Sequence, residues 1–309
     1  MPARPLIPLG AIPAGAGVSI VAPASFARQE RIDDGAKALR ALGFDAQFGE
    51  HALGRGPLFF AGSRENRIAD LHTAFTSTET QVVMSLRGGY GSNYLLDQLD
   101  RDLIRAHPKP FFAYSDLTGL QLHLLDRIGL PAFHGPMLAA DFYLEDGVHL
   151  RSFRAALAGE VYSLSAAEGL RTLKTGSARG VLYGGCLSIL VSLLGTAWEP
   201  QTDGKLLFLE DVGAKPYQVD RMLWQMRKAG KLAAVSGIVF GEMLDCASPG
   251  SEPDLLEKTI LSALADFEGP IAFGLMSGHV SRQNVTLTFG VEAQLDAADE
   301  TTLKIGARE

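Results

Sequence analysis

Ser115 stands where a side-chain hydroxyl can act as a nucleophile. An apolar run over residues 111–114 predicts a buried strand that ends at Ser115, and a helix is predicted directly after it. A serine at such a turn exposes its hydroxyl, and the backbone N–H of Asp116 can donate to a developing oxyanion. The alternative is that Ser115 or Asp116 only caps the helix, because Ala113 and Leu117 replace the glycines of the hydrolase Gly-x-Ser-x-Gly pattern.

A glycine-rich segment, residues 87–92, follows a second predicted strand over 81–86. Its glycines allow backbone N–H groups to approach an anion, although the spacing matches neither the dinucleotide fingerprint nor the P-loop. A tight turn without a ligand is the alternative interpretation. Because loops at the carboxyl ends of parallel strands share one sheet edge, the N–H of Gly88 or Gly89 is a candidate second oxyanion donor.

Acids and a histidine follow strands in the second half of the chain. The apolar residues 206–209 lead into Glu210 and Asp211, and such an acid either orients a histidine or caps a neighbouring element. His134 and His279 are the two histidines that follow apolar strands. Each is a candidate general base, with a purely structural hydrogen-bonded histidine as the alternative.

The apolar pattern of the first half alternates strands with amphipathic helices. The strands are predicted at 17–22, 45–48, 81–86, 111–114 and 131–134, and the helices at 27–42, 63–76, 93–106 and 117–128. Short connections between these elements favour a parallel sheet with flanking helices. Ligand-binding loops are then expected at the carboxyl ends of the strands.

The second half is predicted to form a mixed sheet. Its strands are expected at 206–209, 236–240, 271–274, 285–289 and 303–305, and its helices at 187–194, 217–229 and 254–265. We therefore expect an α/β protein with a parallel-sheet N-terminal domain over 1–160 and a mixed-sheet C-terminal domain over 176–309. The poorly periodic residues 161–175 are predicted to link the two domains.

The composition excludes several classes of protein. With 309 residues, 47% of them hydrophobic and 20% charged, the chain can bury a sizeable core. A net charge of −7 argues against a nucleic-acid partner, and no segment has the run of about 18 apolar residues that a membrane span needs. Pro5, Pro8 and Pro13 interrupt the apolar N-terminus, so we expect no signal peptide and a cytoplasmic protein.

Cysteine and metal-ligand spacing give two further expectations. Cys186 and Cys246 are too few for a disulfide framework and are expected to be free thiols in a reducing compartment. Neither has a basic neighbour in sequence that favours a nucleophilic thiolate. No metal-binding motif is present, so we expect neither metal nor cofactor, and no effect of chelators on activity.

In their joint order and spacing, these segments resemble the LD-carboxypeptidase family, serine peptidases that act on murein peptides in the cytoplasm. The resemblance covers most of the chain, through residues 19–24, 60–63, 69–72, 87–92, 114–118, 134–137, 184–188, 207–213 and 278–279. It implies a catalytic triad of Ser115, Glu210 and His279 in a cleft between the two domains. Ser115 is then the nucleophile, His279 the general base, and Glu210 the group that orients the imidazole.

The resemblance also implies a substrate. In the family, the bond between the L-configured centre of meso-diaminopimelate and a terminal D-alanine is hydrolysed, which releases D-alanine from murein tetrapeptide for cell-wall recycling. Arg87 is a candidate partner for the terminal carboxylate. Alternatively, its side chain holds its own glycine-rich segment in place. A homodimer without cofactor, nucleic acid or membrane partner is what the family implies.

Three positions depart from the family pattern. Ala113 replaces a glycine, Cys186 replaces the asparagine of Gly-Gly-Asn-Leu, and Met276-Ser277 replaces a Pro-Phe type pair before Gly-His.

Two other functions stay open. A microcin C-type self-immunity peptidase would use the same triad on a peptidyl-nucleotide analogue, but the aromatic insertion of that branch is not found here. A non-catalytic protein that binds an anion or a sugar phosphate on the glycine loop is the second alternative.

Overall fold

The computed structural model describes residues 5–247, 250, 252 and 254–306. The chain divides into two compact units. One contains the residues up to Glu160 together with Arg282–Gly290, and the other contains Val161–Ser281 together with the residues from Val291 onward.

The described residues form eight α-helices and fourteen strands. The helices are α1 (Gln29–Ala41), α2 (Arg64–Thr76), α3 (Arg101–Ala106), α4 (Thr118–Ile128), α5 (Leu150–Ala158), α6 (Leu187–Ser192), α7 (Pro216–Lys228) and α8 (Leu255–Ala263). The strands are β1 (Gly17–Val21), β2 (Asp45–Phe48), β3 (Val82–Ser85), β4 (Phe111–Ala113), β5 (Ala132–His134), β6 (Tyr162–Leu164), β7 (Arg171–Lys174), β8 (Gly176–Cys186), β9 (Lys205–Glu210), β10 (Gly237–Gly241), β11 (Ile271–Leu275), β12 (Leu287–Phe289), β13 (Glu292–Ala297) and β14 (Thr302–Ile305).

The first unit is built on a six-stranded sheet in the order β12-β5-β4-β3-β1-β2. Strands β1 to β5 run parallel, and their apolar residues, such as Ile20, Met84 and Phe112, are fully buried as expected for strands inside a parallel sheet. β3 and β4 are neighbours, with Met84 opposite Phe112. The segments that follow these two strands therefore leave the same edge of the sheet.

The second unit is built on an eight-stranded mixed sheet in the order β6-β14-β13-β8-β9-β10-β11-β7. Strands β8 to β11 pair in parallel, whereas the remaining pairings are antiparallel. The prediction of an α/β chain with a parallel first sheet and a mixed second sheet is confirmed. Glu210 ends β9, where it lies opposite Cys186 of β8.

The structure differs from the predicted domain boundaries in two respects. The segment 161–175, expected to be a linker, contains β6 and β7, which form the two edges of the second sheet. The strand predicted at 285–289 belongs to the first unit, where β12 pairs antiparallel with β5 and Leu287 lies opposite His134. Both differences arise from pairing between segments far apart in sequence, which local periodicity does not report.

Two further elements differ from their prediction. The helix expected over 93–106 is interrupted: a 3-10 turn covers Ser92–Leu95, and α3 begins only at Arg101. Asp100 fixes that start, because its carboxylate accepts a hydrogen bond from the N–H of Leu103 at 2.9 Å. The eleven-residue strand β8 has no counterpart in the prediction, since its glycines and polar residues obscure a strand pattern.

In the part of the chain that the structure describes, no helix combines the length and apolarity needed to cross a membrane.

The buried imidazole of His123 on α4 gives the fold a predicted sensitivity to acid. Only 7% of His123 is exposed, and its Nδ1 has no hydrogen-bond partner among the described residues. Burial, reinforced by the positive charges of Arg101 and Arg127, lowers the pKa of His123 from 6.5 to about 4. Between these two values the unfolded chain binds a proton that the folded chain does not, so stability falls as the pH falls.

We therefore expect the wild type to lose about 2 kcal/mol more unfolding free energy than His123→Leu between pH 7 and pH 4.5. Urea unfolding at both pH values measures this difference. His107→Leu, at an exposed histidine, is the matched control and should retain the wild-type acid sensitivity. Equal acid sensitivity in the wild type and in His123→Leu would show that His123 does not carry the effect.

Candidate active site

The first unit places Ser115 on a strained turn. Ser115 follows β4 and Tyr114, and it opens a 3-10 turn, Ser115–Leu117, that runs into α4. Its φ of 65° lies in the left-handed region, which is costly for a residue with a Cβ and recurs at strand-to-helix turns that carry a nucleophile. Ala113, at the family's glycine position, is fully buried at the end of β4, so the alanine is compatible with the turn.

The glycine-rich segment packs directly on this serine. A Cβ added at Gly88 would lie 2.8 Å from the Cβ of Ser115 and 3.0 Å from its Oγ, so no larger residue fits without displacing the serine. Ser25 holds the segment from the other side. Its N–H donates to the carbonyl oxygen of Gly88 at 3.3 Å, and its Oγ accepts from the N–H of Tyr90 at 3.1 Å. Gly88 is therefore held where Ser115 leaves no room for a side chain.

Asp116 joins the serine turn to the end of the glycine-rich segment. Its carboxylate accepts a hydrogen bond from the N–H of Ser92 at 2.8 Å, and its carbonyl oxygen accepts one from the Ser92 hydroxyl at 2.7 Å. Burial raises the pKa of Asp116, while the hydrogen bonds from Ser92 and Gly91 and the charge of Arg67 oppose that rise. Asp116 thus has a positioning role through its side chain, in addition to the backbone N–H predicted as an oxyanion donor.

Arg67 supports the same segment and was not predicted as a site residue. Its Nη1 donates to the carbonyl oxygens of Gly91 and Pro23, both at 2.8 Å, and its guanidinium lies 4.8 Å from the centre of the Phe60 ring. Only 4% of Arg67 is exposed. No local pattern distinguishes this arginine from a surface arginine on α2, because its partners come from distant loops.

The second unit brings Glu210 and His279 together. The Oε2 of Glu210 lies 2.8 Å from Nδ1 of the His279 ring, and it also accepts the backbone N–H of His279 at 3.1 Å. Glu210 is fully buried, whereas His279 is about 20% exposed at its side chain. Because the carboxylate can only accept, Nδ1 carries the ring proton in this contact, and Nε2 is then the nitrogen with the lone pair.

Gly278 makes this contact sterically feasible. Its φ of 88° suits glycine, and a Cβ at this position would lie 2.6 Å from the Cδ of Glu210. The Gly-His pair in the sequence therefore has a physical reason, since only glycine lets the carboxylate reach the histidine beside it. The Met276-Ser277 departure precedes this glycine and leaves the contact in place.

The neighbouring acid has a different role. Asp211 accepts hydrogen bonds from the N–H groups of Ser188, in the first turn of α6, and of Val212, both at 2.8 Å.

Burial, together with the negative charges of Glu210 and Asp211, raises the pKa of the Cys186 thiol well above its usual value. Cys186 is therefore held as a neutral thiol, which argues against a nucleophilic role.

The remaining candidates lie in the first unit. His134 is fully buried between the rings of Tyr114 and Phe289, with centroid distances of 5.9 and 5.3 Å, which gives it a packing role. Arg87 is half-buried and lines a cavity with two other arginines. In the first unit the structure thus gathers Ser115, Asp116, Gly88, Gly89 and Arg87, and in the second it pairs Glu210 with His279.

Gly88→Ala tests the packing on the serine. The added methyl must push the Ser115 side chain, and a misplacement of about 1 Å is expected to lower kcat on the order of 10²-fold. Gly62→Ala is a matched control, because its added Cβ would meet nothing closer than the Asn66 Cβ at 3.6 Å. Steady-state kinetics on murein tetrapeptide, the substrate that the family resemblance implies, measures the effect, with thermal unfolding as a check of the fold. A Gly88→Ala enzyme with the kcat of Gly62→Ala would contradict the prediction.

Each unit carries a part that serine hydrolases use: a strained serine beside closely packed backbone in one, and a carboxylate-bound histidine in the other. Residues 18–135 match the LD-carboxypeptidase N-terminal domain, and residues 179–295 match the LD-carboxypeptidase C-terminal domain. The chain therefore belongs to the LD-carboxypeptidase family and is a serine-type carboxypeptidase.

Individual relatives agree with this assignment. A probable murein peptide carboxypeptidase of Bacillus subtilis is 35% identical over 294 residues, which cover 94% of this chain and 91% of the relative. The crystal structure of a muramoyltetrapeptide carboxypeptidase from Oxalobacter formigenes is 27% identical with a TM-score of 0.83, covering 94% of this chain and 99% of that one. The microcin C7 self immunity protein MccF shares the fold, with a TM-score of 0.89 at 23% identity over 98% of this chain and 99% of that one.

Proposed function

We propose that this chain is a murein tetrapeptide LD-carboxypeptidase that uses Ser115, His279 and Glu210 as its triad. The observation that carries the proposal is the double contact of one Glu210 oxygen with both the ring and the backbone of His279. This contact fixes the imidazole in the tautomer that a general base requires. The strained turn at Ser115, in the unit that matches the N-terminal domain of the family, supports its role as the nucleophile.

In the proposed reaction, Nε2 of His279 takes the proton of the Ser115 hydroxyl while Oγ attacks the carbonyl carbon of the scissile peptide bond. The N–H of Asp116 and that of Gly88 or Gly89 donate to the oxyanion that forms. The C–N bond then breaks, and the imidazolium gives its proton to the leaving amine of D-alanine. A water molecule, deprotonated by His279, attacks the remaining ester, which frees the tripeptide and restores Ser115.

The proposed substrate rests on the family and on the relatives, whose names refer to murein peptides. The scissile bond is the one between the L-centre of the third residue and a terminal D-alanine, and Arg87 is proposed to bind the terminal carboxylate. Proton transfer between Ser115 and His279 requires that the two units present these groups to a common cleft. We also propose that the chain forms a homodimer and acts in the cytoplasm.

Release of D-alanine from purified murein tetrapeptide tests this function. We expect D-alanine from the tetrapeptide, none from an analogue that ends in L-alanine, and no loss of rate with EDTA. A pentapeptide ending in D-alanyl-D-alanine is the control for LD specificity and should not be cleaved. Hydrolysis of a peptidyl-nucleotide analogue alone would favour the self-immunity activity, and tight sugar-phosphate binding without hydrolysis would favour a binding protein.

A further inference from the structure

Three arginines of the first unit converge on one small cavity. Arg28, Arg31 and Arg87 line a cavity of about 230 Å³, together with Ala27 and Ala139. In the described part of the chain none of the three forms an ion pair with a carboxylate. A protein with a net charge of −7 therefore keeps three arginines without a salt bridge around one space, with Arg28 and Arg31 exposed and Arg87 half-buried.

Two of these arginines are placed by the start of α1. Arg28 is the N-cap of α1, and no side chain caps that helix end, so the positive end of a thirteen-residue helix adjoins the cavity. The guanidinium of Arg31, one turn into α1, lies 4.4 Å from the centre of the Tyr143 ring, which orients it. Asp33, an acid of the same helix, accepts a hydrogen bond from the Gln29 amide at 2.9 Å.

Arg87 connects the cavity to the nucleophile. It directly precedes Gly88, and its Nη2 lies 3.6 Å from the position of a Cβ added at Gly89. Gly88 is the residue that packs against Ser115. A group bound by the three arginines is therefore close to the place where the scissile bond would lie, and it can belong to the same ligand.

We propose that Arg28 and Arg31 hold a second carboxylate of the acidic peptide substrate in this cavity, beside the terminal carboxylate assigned to Arg87, and that they determine specificity for it. The proposal rests on the function proposed above. A space of about 230 Å³ is smaller than the roughly 300–1,000 Å³ of a site for a whole ligand, and it suits one anionic group. Guanidinium groups bind carboxylates through paired, charge-assisted hydrogen bonds. Recognition of a second carboxylate would distinguish murein peptides, which carry several, from ordinary peptides.

The test compares the double variant Arg28→Ala/Arg31→Ala with the wild type on tetrapeptide and on three analogues, each with one carboxylate converted to an amide. We expect the double variant to raise KM at least about tenfold on the unmodified tetrapeptide while kcat changes less than about threefold. One amide should raise the wild-type KM to a similar degree and should cause little further loss in the variant. Arg40→Ala, at an exposed arginine in the last turn of α1, is the matched control and should behave as wild type.

Binding measurements separate this proposal from the proposed function. Calorimetric titration of tetrapeptide into Ser115→Ala and into Ser115→Ala/Arg28→Ala/Arg31→Ala should show weaker binding to the triple variant, whether or not the wild type releases D-alanine. Equal binding to both proteins, or an unchanged KM in the double variant, would overturn the proposal. Inorganic phosphate that protects the wild type but not the double variant from thermal unfolding, without any effect of amidation on KM, would show a phosphate site and would equally overturn it.

Discussion

Ser115→Ala is expected to lower kcat for D-alanine release by about 10⁴- to 10⁶-fold, because the variant has no oxygen that can form the acyl intermediate. Alanine keeps the Cβ and therefore the backbone strain of the left-handed turn, with φ at 65°. The neighbouring hydrogen bonds between Asp116 and Ser92 do not involve the Ser115 hydroxyl and should persist. The loss is thus assigned to the reaction rather than to the fold.

Two controls make this result specific. Ser115→Gly should be as inactive as Ser115→Ala, but more stable by about 1 kcal/mol in urea unfolding, because glycine removes the strain at positive φ. A serine-reactive phosphonate should label Ser115 in the wild type and label neither variant, as read by mass spectrometry of the modified peptide. Wild-type turnover by Ser115→Ala would rule out the serine as nucleophile and would leave the turn as a helix start only.

Local sequence predicted the strand-to-helix turn at Ser115 but not the contacts around it. The apolar strand before Ser115 and the helix after it are short-range signals, and the structure has the turn that they predict. Arg67 and the side-chain role of Asp116 were not predicted, because each depends on a contact with a residue 24 positions away in the sequence. The choice between Glu210 and Asp211 also needed more than local pattern, since adjacent acids at a strand end look alike until one contacts His279 and the other caps α6.

The prediction of the fold has the same limit, because local sequence does not report pairing between distant segments. Buried parallel strands such as β9 and β10 have continuous apolar runs, which the hydrophobic pattern of the sequence reveals. β12, β6 and β7 are short strands at sheet edges, and their sheet membership is decided by partners elsewhere in the chain. The expected passage between domains at 161–175 was inferred from weak periodicity, which short edge strands also produce.

Glu210→Gln is the second substitution with a large expected effect, and it separates the charge of the carboxylate from its hydrogen bonds. The amide oxygen can occupy the position of Oε2, which in the wild type accepts both the ring N–H and the backbone N–H of His279. The ring tautomer and the local fold can then survive, but the negative charge that stabilises the imidazolium during proton transfer is lost. We expect kcat to fall by about 10²- to 10⁴-fold, with the upper figure if the amide nitrogen faces the ring and reverses the tautomer.

The pH dependence of kcat/KM, compared with that of a variant at the neighbouring Asp211, shows whether this loss is electrostatic. In the wild type, kcat/KM should fall towards acid pH as the imidazole of His279 becomes protonated. Without the buried negative charge the ring is harder to protonate, so the acid limb should move to lower pH in Glu210→Gln, a change that a merely loosened site would not produce. Asp211→Asn is the comparison variant, because it removes the adjacent negative charge without changing the contact between Glu210 and His279. Asp211 accepts from the N–H groups of Ser188 and Val212 instead, and the acid limb of its variant should move less than that of Glu210→Gln. An equal loss of kcat in both variants with unmoved acid limbs would mean that Glu210 supports the fold of the β9 end and not the base.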